Sequence, residues 1–490
     1  MYLSTVIETL QDYKKKYDEL LAKNMQLRHR LEQLEKLIFG SKHERFIPST
    51  PVEQLSLDIA VETKETPAVV TEHIEYTRKK VETTTAHSGR MPLPACLPRE
   101  RVVIEPKEDV TGCRKIGEEI TEELELIPSK LFVKQYVRPK YARPNGEGVV
   151  IGSLPARPIE KAIAGPGLLA QITVDKYVDH LPVNRQMERF KRNGVAIAYS
   201  TLTDWISGIC ALIEPLYELH KRMVLGAGYL CVDETPIKVL DKEKKGKTHR
   251  GYHWVYYSPE TRQVLFDYRE GRGREGPQEL LKYFKGYLQS DGYEVYEYFA
   301  QKSDIIHLHC MAHARRKFDE ALSNDKTRAE YALAEIQKLY QVERRCKEEN
   351  LSAEQIRKVR EQEAVPVLKD LKEWMIESYK QVLPKSPIGM ALNYALQRWD
   401  KLTEYTKNGI LRIDNNLVEN AIRPVAIGRK NYLFAGSHNG AKRAAMLYSF
   451  LGTCKINNVN VYDWLKDVLE KIPTHRVNQL EKLLPQNWNK

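Results

Sequence analysis

Asp233 ends the short apolar run Tyr229-Leu-Cys-Val-Asp-Glu234, and Asp291 ends another, Tyr287-Leu-Gln-Ser-Asp291. Runs of this length bounded by polar residues read as buried strands, so each carboxylate stands where a strand leaves a core. Two such groups brought together repel, and ionising both is costly unless a cation neutralises them. Hard divalent ions with oxygen ligands suit that arrangement, Mg²⁺ above all and Mn²⁺ as its substitute. A third ligand is expected from a later helix. Ile413-Asp-Asn-Asn-Leu-Val-Glu419-Asn-Ala-Ile-Arg423 offers one. With Asp414 as N-cap, Asn416, Glu419, Asn420 and Arg423 fall at i, i+3, i+4 and i+7 on one helix face. Solvated faces are ordinarily built from Lys and Glu, whereas two Asn around one Glu suggest a polar site. A further group with ligand-like spacing, His307, His309, Cys310 and His313, lies where a strand passes into a helix. Hydrogen bonding is its expected role, with a bound transition metal as the alternative.

The elements that must hold these residues come in a definite order. Strand patterns cover 229–234, 253–257 and 263–268; a helix follows over 277–284, then a strand closing on Asp291, a helical stretch, and a strand over 304–310. Three strands, helix, strand, helix, strand is the order of a ribonuclease-H-like α/β fold, in which the first and fourth strands adjoin. Asp233 and Asp291 would then share one edge of the sheet. Helix-rich residues from about 311 to 405 form an insertion ahead of the Glu419 helix. After Glu419 no acidic residue occurs until Asp463, while Arg423, Arg429, Lys430, Lys442, Arg443 and Lys455 fall in that window with Tyr432 and Phe434 among them. This one-sided charge beside the expected site reads as a DNA phosphate binder.

Upstream, Leu3, Val6, Leu10, Tyr13, Tyr17, Leu20, Asn24, Leu27, Leu31, Leu34 and Ile38 alternate spacings of three and four. That is a coiled-coil seam, and an Asn at an a position tends to fix register and a dimer. Residues 47–86, rich in Pro, Thr, Val and Glu, read as a flexible linker. In the small domain that follows, Lys130, Phe132, Lys134, Tyr136, Arg138 and Lys140 alternate with Leu131, Val133 and Val137. A strand of that period would present a basic, aromatic face to DNA and bury the apolar one. Further on, 182–192, a turn at Asn193-Gly194 and a helix from Ser200 through Ile213 suggest a helix-turn-helix. The 490-residue chain carries a net charge of +11, which favours a polyanionic partner. No uninterrupted apolar run approaches the ~18 residues of a membrane span, no signal peptide is visible, and the seven cysteines form no Cys-x-x-Cys pair. A reduced, cytoplasmic protein is expected, associated with the nucleoid.

Several longer motifs occur in one order: Ile38-Phe-Gly-Ser-Lys42, Arg138-Pro-Lys-Tyr141, Ala164-Gly-Pro-Gly-Leu168, Asp233-Glu-Thr-Pro236, His313-Ala-Arg-Arg-Lys-Phe318, Asp414-Asn-Asn with Glu419, and Gly428-Arg-Lys-Asn-Tyr-Leu-Phe-Ala-Gly-Ser437. In these the chain resembles the TnpC-type transposases of insertion-sequence family sixty-six, which use an Asp-Asp-Glu triad. The resemblance implies a triad of Asp233, Asp291 and Glu419 holding two Mg²⁺ (or Mn²⁺) ions for DNA strand cleavage and transfer. Asn416 and Asn420 would orient phosphate or water, and Arg423 would balance phosphate charge. The implied organisation is a coiled coil over 1–46, a linker over 47–86 and a DNA-binding domain over 87–157. A helical segment over 165–224, a catalytic domain over 225–450 with its insertion at 311–405, and a helical C-terminus over 451–490 complete it. Implied partners are the element's ends and target DNA, a second copy through the coiled coil, and accessory proteins encoded by the element. One departure concerns zinc. Family members carry two Cys-x-x-Cys pairs in the small domain, whereas only Cys113 stands near the first pair here, so structural zinc is not expected. The rival reading is a DNA-binding repressor or relic without catalysis; three intact carboxylates argue against it.

Overall fold

A computed structural model describes residues 131–134, 140–142, 149–151, 155–160, 162–240 and 247–488. The expected coiled coil, the linker and most of the small domain, with Lys130, Tyr136 and Arg138, lie outside the described residues. A two-stranded antiparallel pair, β1 (Lys140–Ala142) and β2 (Val149–Ile151), precedes helices α1 (Pro166–Tyr177), α2 (Val183–Arg192) and α3 (Tyr199–Leu225). The main sheet follows, with β3 (Tyr229–Leu240), β4 (Thr248–Ser258), β5 (Gln263–Arg269), α4 (Glu275–Leu280), β6 (Gly286–Ser290), α5 (Glu294–Glu297) and β7 (Ile305–His309) in chain order.

In space the strands run β5-β4-β3-β6-β7. The first three form an antiparallel meander, and β6 and β7 add in parallel beside β3. The first and fourth strands of the main sheet are therefore neighbours, as the order of elements predicts. Strand alternation explains why the apolar runs look continuous in sequence. Tyr229, Cys231, Ile237 and Val239 join the larger core on one face, while Leu230 and Val232 pack with Trp254, Tyr256 and Leu288 on the other. The edge strand β5 is covered rather than left open. The hydroxyls of Ser449 and Thr453 accept the backbone N–H groups of Phe266 and Val264 at 2.8 and 3.2 Å.

After β7 come α6 (Met311–Glu320), α7 (Lys326–Glu348) and α8 (Ala353–Val359), which passes through a π-helical turn, Arg360–Ala364, into α9 (Val365–Tyr379). Helices α10 (Pro387–Gln397) and α11 (Trp399–Thr403) complete the helical stretch before α12 (Asn416–Tyr432), α13 (His438–Ile456) and α14 (Val461–Lys471).

Several local expectations need correction: the strand expected over 229–234 runs on to Leu240, because Ile237 and Val239 rejoin the core, and the helix expected over 277–284 is α4, ending at Leu280. Residues 131–134 form no strand, and both faces are open: Phe132 is 79% and Val133 93% exposed. An alternating pattern becomes a strand only where a partner takes its hydrogen bonds and a core takes its apolar side, and β2 pairs with Lys140–Ala142 alone. Helix α3 begins at Tyr199 with Ala198 as its cap and runs through Pro215 to Leu225, because buried Leu216, His220 and Val224 keep it packed beyond the proline. The cap of α12 is Asn415 rather than Asp414.

Candidate active site

Asp233 lies within β3 on the face that carries Tyr229 and Cys231, toward the larger core. The last parallel register pair is Cys231 with Gln289, so two residues further along Asp233 stands beside Asp291, the first residue after β6. Each aspartate has one oxygen fixed by backbone. Oδ1 of Asp233 accepts from Glu234 N–H at 2.8 Å, and Oδ1 of Asp291 from Tyr293 N–H at 2.8 Å. Burial holds the Asp233 carboxyl well above the usual carboxylate range, and the charges of Glu234, Asp291 and Glu419 push it the same way. Asp291 and Glu419 thus both oppose the charge of Asp233.

Glu419 reaches this place because α12 is docked onto β3 by a residue that sequence reasoning misses. Asn415 is fully buried; its Nδ2 donates to Val232 O at 2.8 Å and its backbone N–H to Cys310 Sγ at 3.1 Å. Asp414, expected as the cap, instead accepts from the backbone and side chain of Asn416 at 3.1 and 2.7 Å. Oε1 of Glu419 is buried without a hydrogen-bond partner, with His313 Nε2 3.8 Å away and Arg316 3.9 Å from Oε2. Burial pushes the Cys310 thiol up to about 12, so it serves Asn415 as a neutral acceptor.

The helical stretch holds the Asp291 end of the site. Tyr394 on α10 donates its hydroxyl to Asp291 O at 2.9 Å, and Gly292, at φ +89°, turns the chain against Tyr394 and Arg398. A side chain at Gly292 would meet Arg398 Nε at 3.0 Å. On the opposite side, Glu234 pairs with Arg272, which lies over the Tyr293 ring at 4.1 Å.

The expected phosphate-binding residues divide. Asn416, Asn420 and Arg423 are exposed on α12 along the Glu419 face, and Lys430 and Lys442 are exposed as well. Arg429 turns inward, its NH1 donating to Thr235 Oγ1 and Pro236 O, both at 2.8 Å, so it ties α12 to β3. Arg443 is half-buried on α13. Phe132 and Lys134 are exposed, while the side chain of Lys140 lies outside what is described. The histidine group splits into two. Cys310 and His313 join Glu419, whereas His307 and His309 face Glu297.

The Transposase IS66 family model matches residues 161–443, more than half of the chain and all of the site. The chain belongs to the IS66 family of transposases. The IS66 C-terminal element matches 449–486, and a model described as Transposase C of IS166 homeodomain matches 26–102. The zinc-finger binding domain of transposase IS66 matches 111–142, although that window holds the single cysteine Cys113; this match bears against the expectation that zinc is absent. Two proteins of Sinorhizobium fredii, Uncharacterized protein y4hP and Uncharacterized protein y4jD, are 32% and 31% identical. These matches cover 94% of this chain and 88% of the first relative, and 95% and 94% for the second. Uncharacterized protein YuaK of Escherichia coli is 43% identical over 49 residues, 10% of this chain and 52% of its own. Membership in the IS66 family implies DNA binding and use of a divalent metal. Among the described residues no helix is long and apolar enough to cross a membrane.

Proposed function

We propose that this IS66-family chain cleaves and joins DNA strands at the ends of an insertion sequence, with Asp233, Asp291 and Glu419 as the catalytic carboxylates of a ribonuclease-H-like core. The observation that carries the reading is the convergence on Asp233. It is a half-buried carboxyl whose charge is opposed by Asp291 and Glu419, the latter with an unpartnered buried oxygen. Such a cluster fits a hard divalent cation, Mg²⁺ or Mn²⁺, which would neutralise it. Held by Asp233, Asp291 and Glu419, such ions would supply Lewis-acid activation of a water or 3′-hydroxyl and charge stabilisation at the scissile phosphate.

The chain's own residues do the rest. Backbone N–H groups of Glu234 and Tyr293 hold one oxygen of each aspartate and leave the other free to bind. Asn416, Asn420 and Arg423, exposed beside Glu419, contact the phosphate backbone and orient the strand. Arg316 and His313 flank Glu419 and set its position. Lys430, Lys442 and the small domain, with Phe132, Lys134 and Lys140, extend the DNA path, and the coiled coil over 1–46 pairs two chains so that two element ends are held together. Labelled element ends incubated with the protein, with and without Mg²⁺, test this directly. Asp233→Ala, Asp291→Ala and Glu419→Ala should each abolish cleavage while leaving end binding near the parent level. A Glu419→Ala variant retaining a tenth of the parent rate would assign the third ligand elsewhere. A monomer in sedimentation at micromolar concentration would overturn the pairing role of the coiled coil.

A further inference from the structure

On β7, His307 and His309 are two residues apart and so project to the same side of the strand, where α5 brings Glu297 against them. His309 Nε2 lies 3.1 Å and His307 Nδ1 3.9 Å from the same oxygen, Oε1 of Glu297, and the two rings meet edge to face at 4.8 Å. One ligand atom from each of the three residues falls within 4.8 Å of the others. The imidazoles are 1% exposed, whereas Glu297 is 39% exposed, which leaves a way in from solvent.

Hydrogen bonding accounts for only part of this arrangement. A bond from His309 to Glu297 explains one imidazole. His307 places its Nε2 2.9 Å from Ser290 Oγ, and its Nδ1 is buried, without a partner, facing a carboxylate oxygen. In the tautomer that gives its Nε2–H to Ser290, His307 turns its Nδ1 lone pair toward Oε1 of Glu297, the orientation in which both atoms can ligate one cation.

We propose that Glu297 Oε1, His307 Nδ1 and His309 Nε2 form a transition-metal site of the zinc class, separate from the catalytic carboxylates. Two imidazoles and one carboxylate are a zinc ligand set, and imidazole discriminates against Mg²⁺. Bonds of ~2.0–2.1 Å in a tetrahedral arrangement put ligand atoms about 3.3 Å apart, so the observed 3.1 and 3.9 Å need only small side-chain shifts. The outer contacts are those that metal ligands ordinarily have. Ser290 orients His307 through its other nitrogen, and Lys401 pairs with the far oxygen, Oε2, of Glu297, leaving Oε1 to the ion. Cys310, the residue after His309, is not part of the set, since its thiol is engaged by Asn415. A zinc ion here would join β7, α5 and, through Lys401, α11 next to Ser290, the residue before Asp291. It would stiffen the Asp291 turn without touching substrate.

The test uses the full chain, stripped with chelator and then dialysed against Zn²⁺ in excess Mg²⁺, with metal content measured by mass spectrometry. The parent should retain one more zinc per chain than Glu297→Gln and His307→Gln, and both variants should bind zinc at least tenfold more weakly. Glu297 is half-exposed, so its variant reports even where His307→Gln does not fold. With Co²⁺ as probe, the parent should show the visible bands of a tetrahedral ion that Glu297→Gln loses, and Cys310→Ser should leave them unchanged. Equal zinc content in the parent and Glu297→Gln would overturn the proposal, as would a cobalt spectrum that depends on Cys310.

Discussion

Replacing Arg360 should separate a buried structural arginine from a charged surface one. Arg360 sits in the π-helical turn, 1% exposed, with all five of its N–H groups engaged. Nε and NH2 donate to the two oxygens of Glu343 at 2.8 and 2.7 Å, and the remaining donors reach the carbonyls of Tyr405, Asn408 and Leu411 at 2.8–2.9 Å. Those carbonyls belong to the segment that leads into α12 and Glu419. Arg360→Lys keeps the charge but offers three donors for five acceptors, so at least two buried acceptors go unmatched. At ~1–3 kcal/mol for each unmade buried bond the cost is ~2–6 kcal/mol. With a urea m-value of ~2 kcal/mol/M, the unfolding midpoint should fall by ~1–3 M. Arg360→Met also strands the Glu343 carboxylate, and losing one partner of a buried pair costs ~3–5 kcal/mol. Adding Glu343→Leu to Arg360→Met should recover part of that loss, because no charge is then left unpaired. Urea titrations followed by circular dichroism measure all three. A lysine variant within ~0.5 kcal/mol of the parent would refute the five-bond account, as would a double variant no more stable than Arg360→Met alone.

Asn415→Ala removes the bond to Val232 O and should cost ~1–3 kcal/mol, with strand cleavage falling more than tenfold while end binding stays level; a half-parent cleavage rate would show that α12 docks without it. Gly409→Ala would drive a Cβ into the backbone oxygen of Ala353, so thermal melts should show a loss of ~1–3 kcal/mol, and an unchanged melting temperature would mean that the α8 contact yields freely. Burial holds His220 down to about 4, its Nε2 2.8 Å from Val264 O and its Nδ1 3.3 Å from Gln263. Between pH 6.5 and 4 the unfolded chain binds a proton that the folded one refuses, so this contribution is complete above the unfolded value and is lost as pH falls toward 4. The loss is about 3 kcal/mol over that window. His220→Gln should flatten that part of the stability profile, and a profile of unchanged slope would contradict the assignment.

The existence and order of the strands were legible because both faces of the sheet are buried; the end of the first was not, since β3 continues past half-buried Asp233 through Pro236 to Leu240, where Ile237 and Val239 rejoin the core. The Glu419 face was legible because helical spacing gathers its polar residues without reference to anything distant. Choosing between Asp414 and Asn415 as cap was not possible in the same way. Both are good capping residues, and what decides is the Val232 carbonyl, 183 residues away. Arg360 was hidden for a different reason. Its neighbours, Arg357-Lys-Val-Arg-Glu-Gln-Glu363, read as a solvated helix, and only the π turn and the fold of the 405–411 segment bring the one arginine inside. Around Phe132 the pattern itself misled, since alternation records a tendency that goes unused where, among the described residues, no strand pairs with 131–134.

The dependence of both ends of the site on the helices between them has a consequence for the protein while it is being made. Asp233 leaves the ribosome 186 residues before Glu419. At ~5–20 residues per second that interval is ~10–40 s, during which Asp291 can already stand beside Asp233. The Tyr394 hydroxyl and the Arg360 clamp arrive before Glu419 does, so the frame of the site can be set before its last ligand exists. On the proposed triad, a nascent chain would hold its N-terminal DNA-contacting residues but lack the third carboxylate until translation has passed α12, and a message truncated in the helical stretch would yield a product with two aspartates and no Glu419.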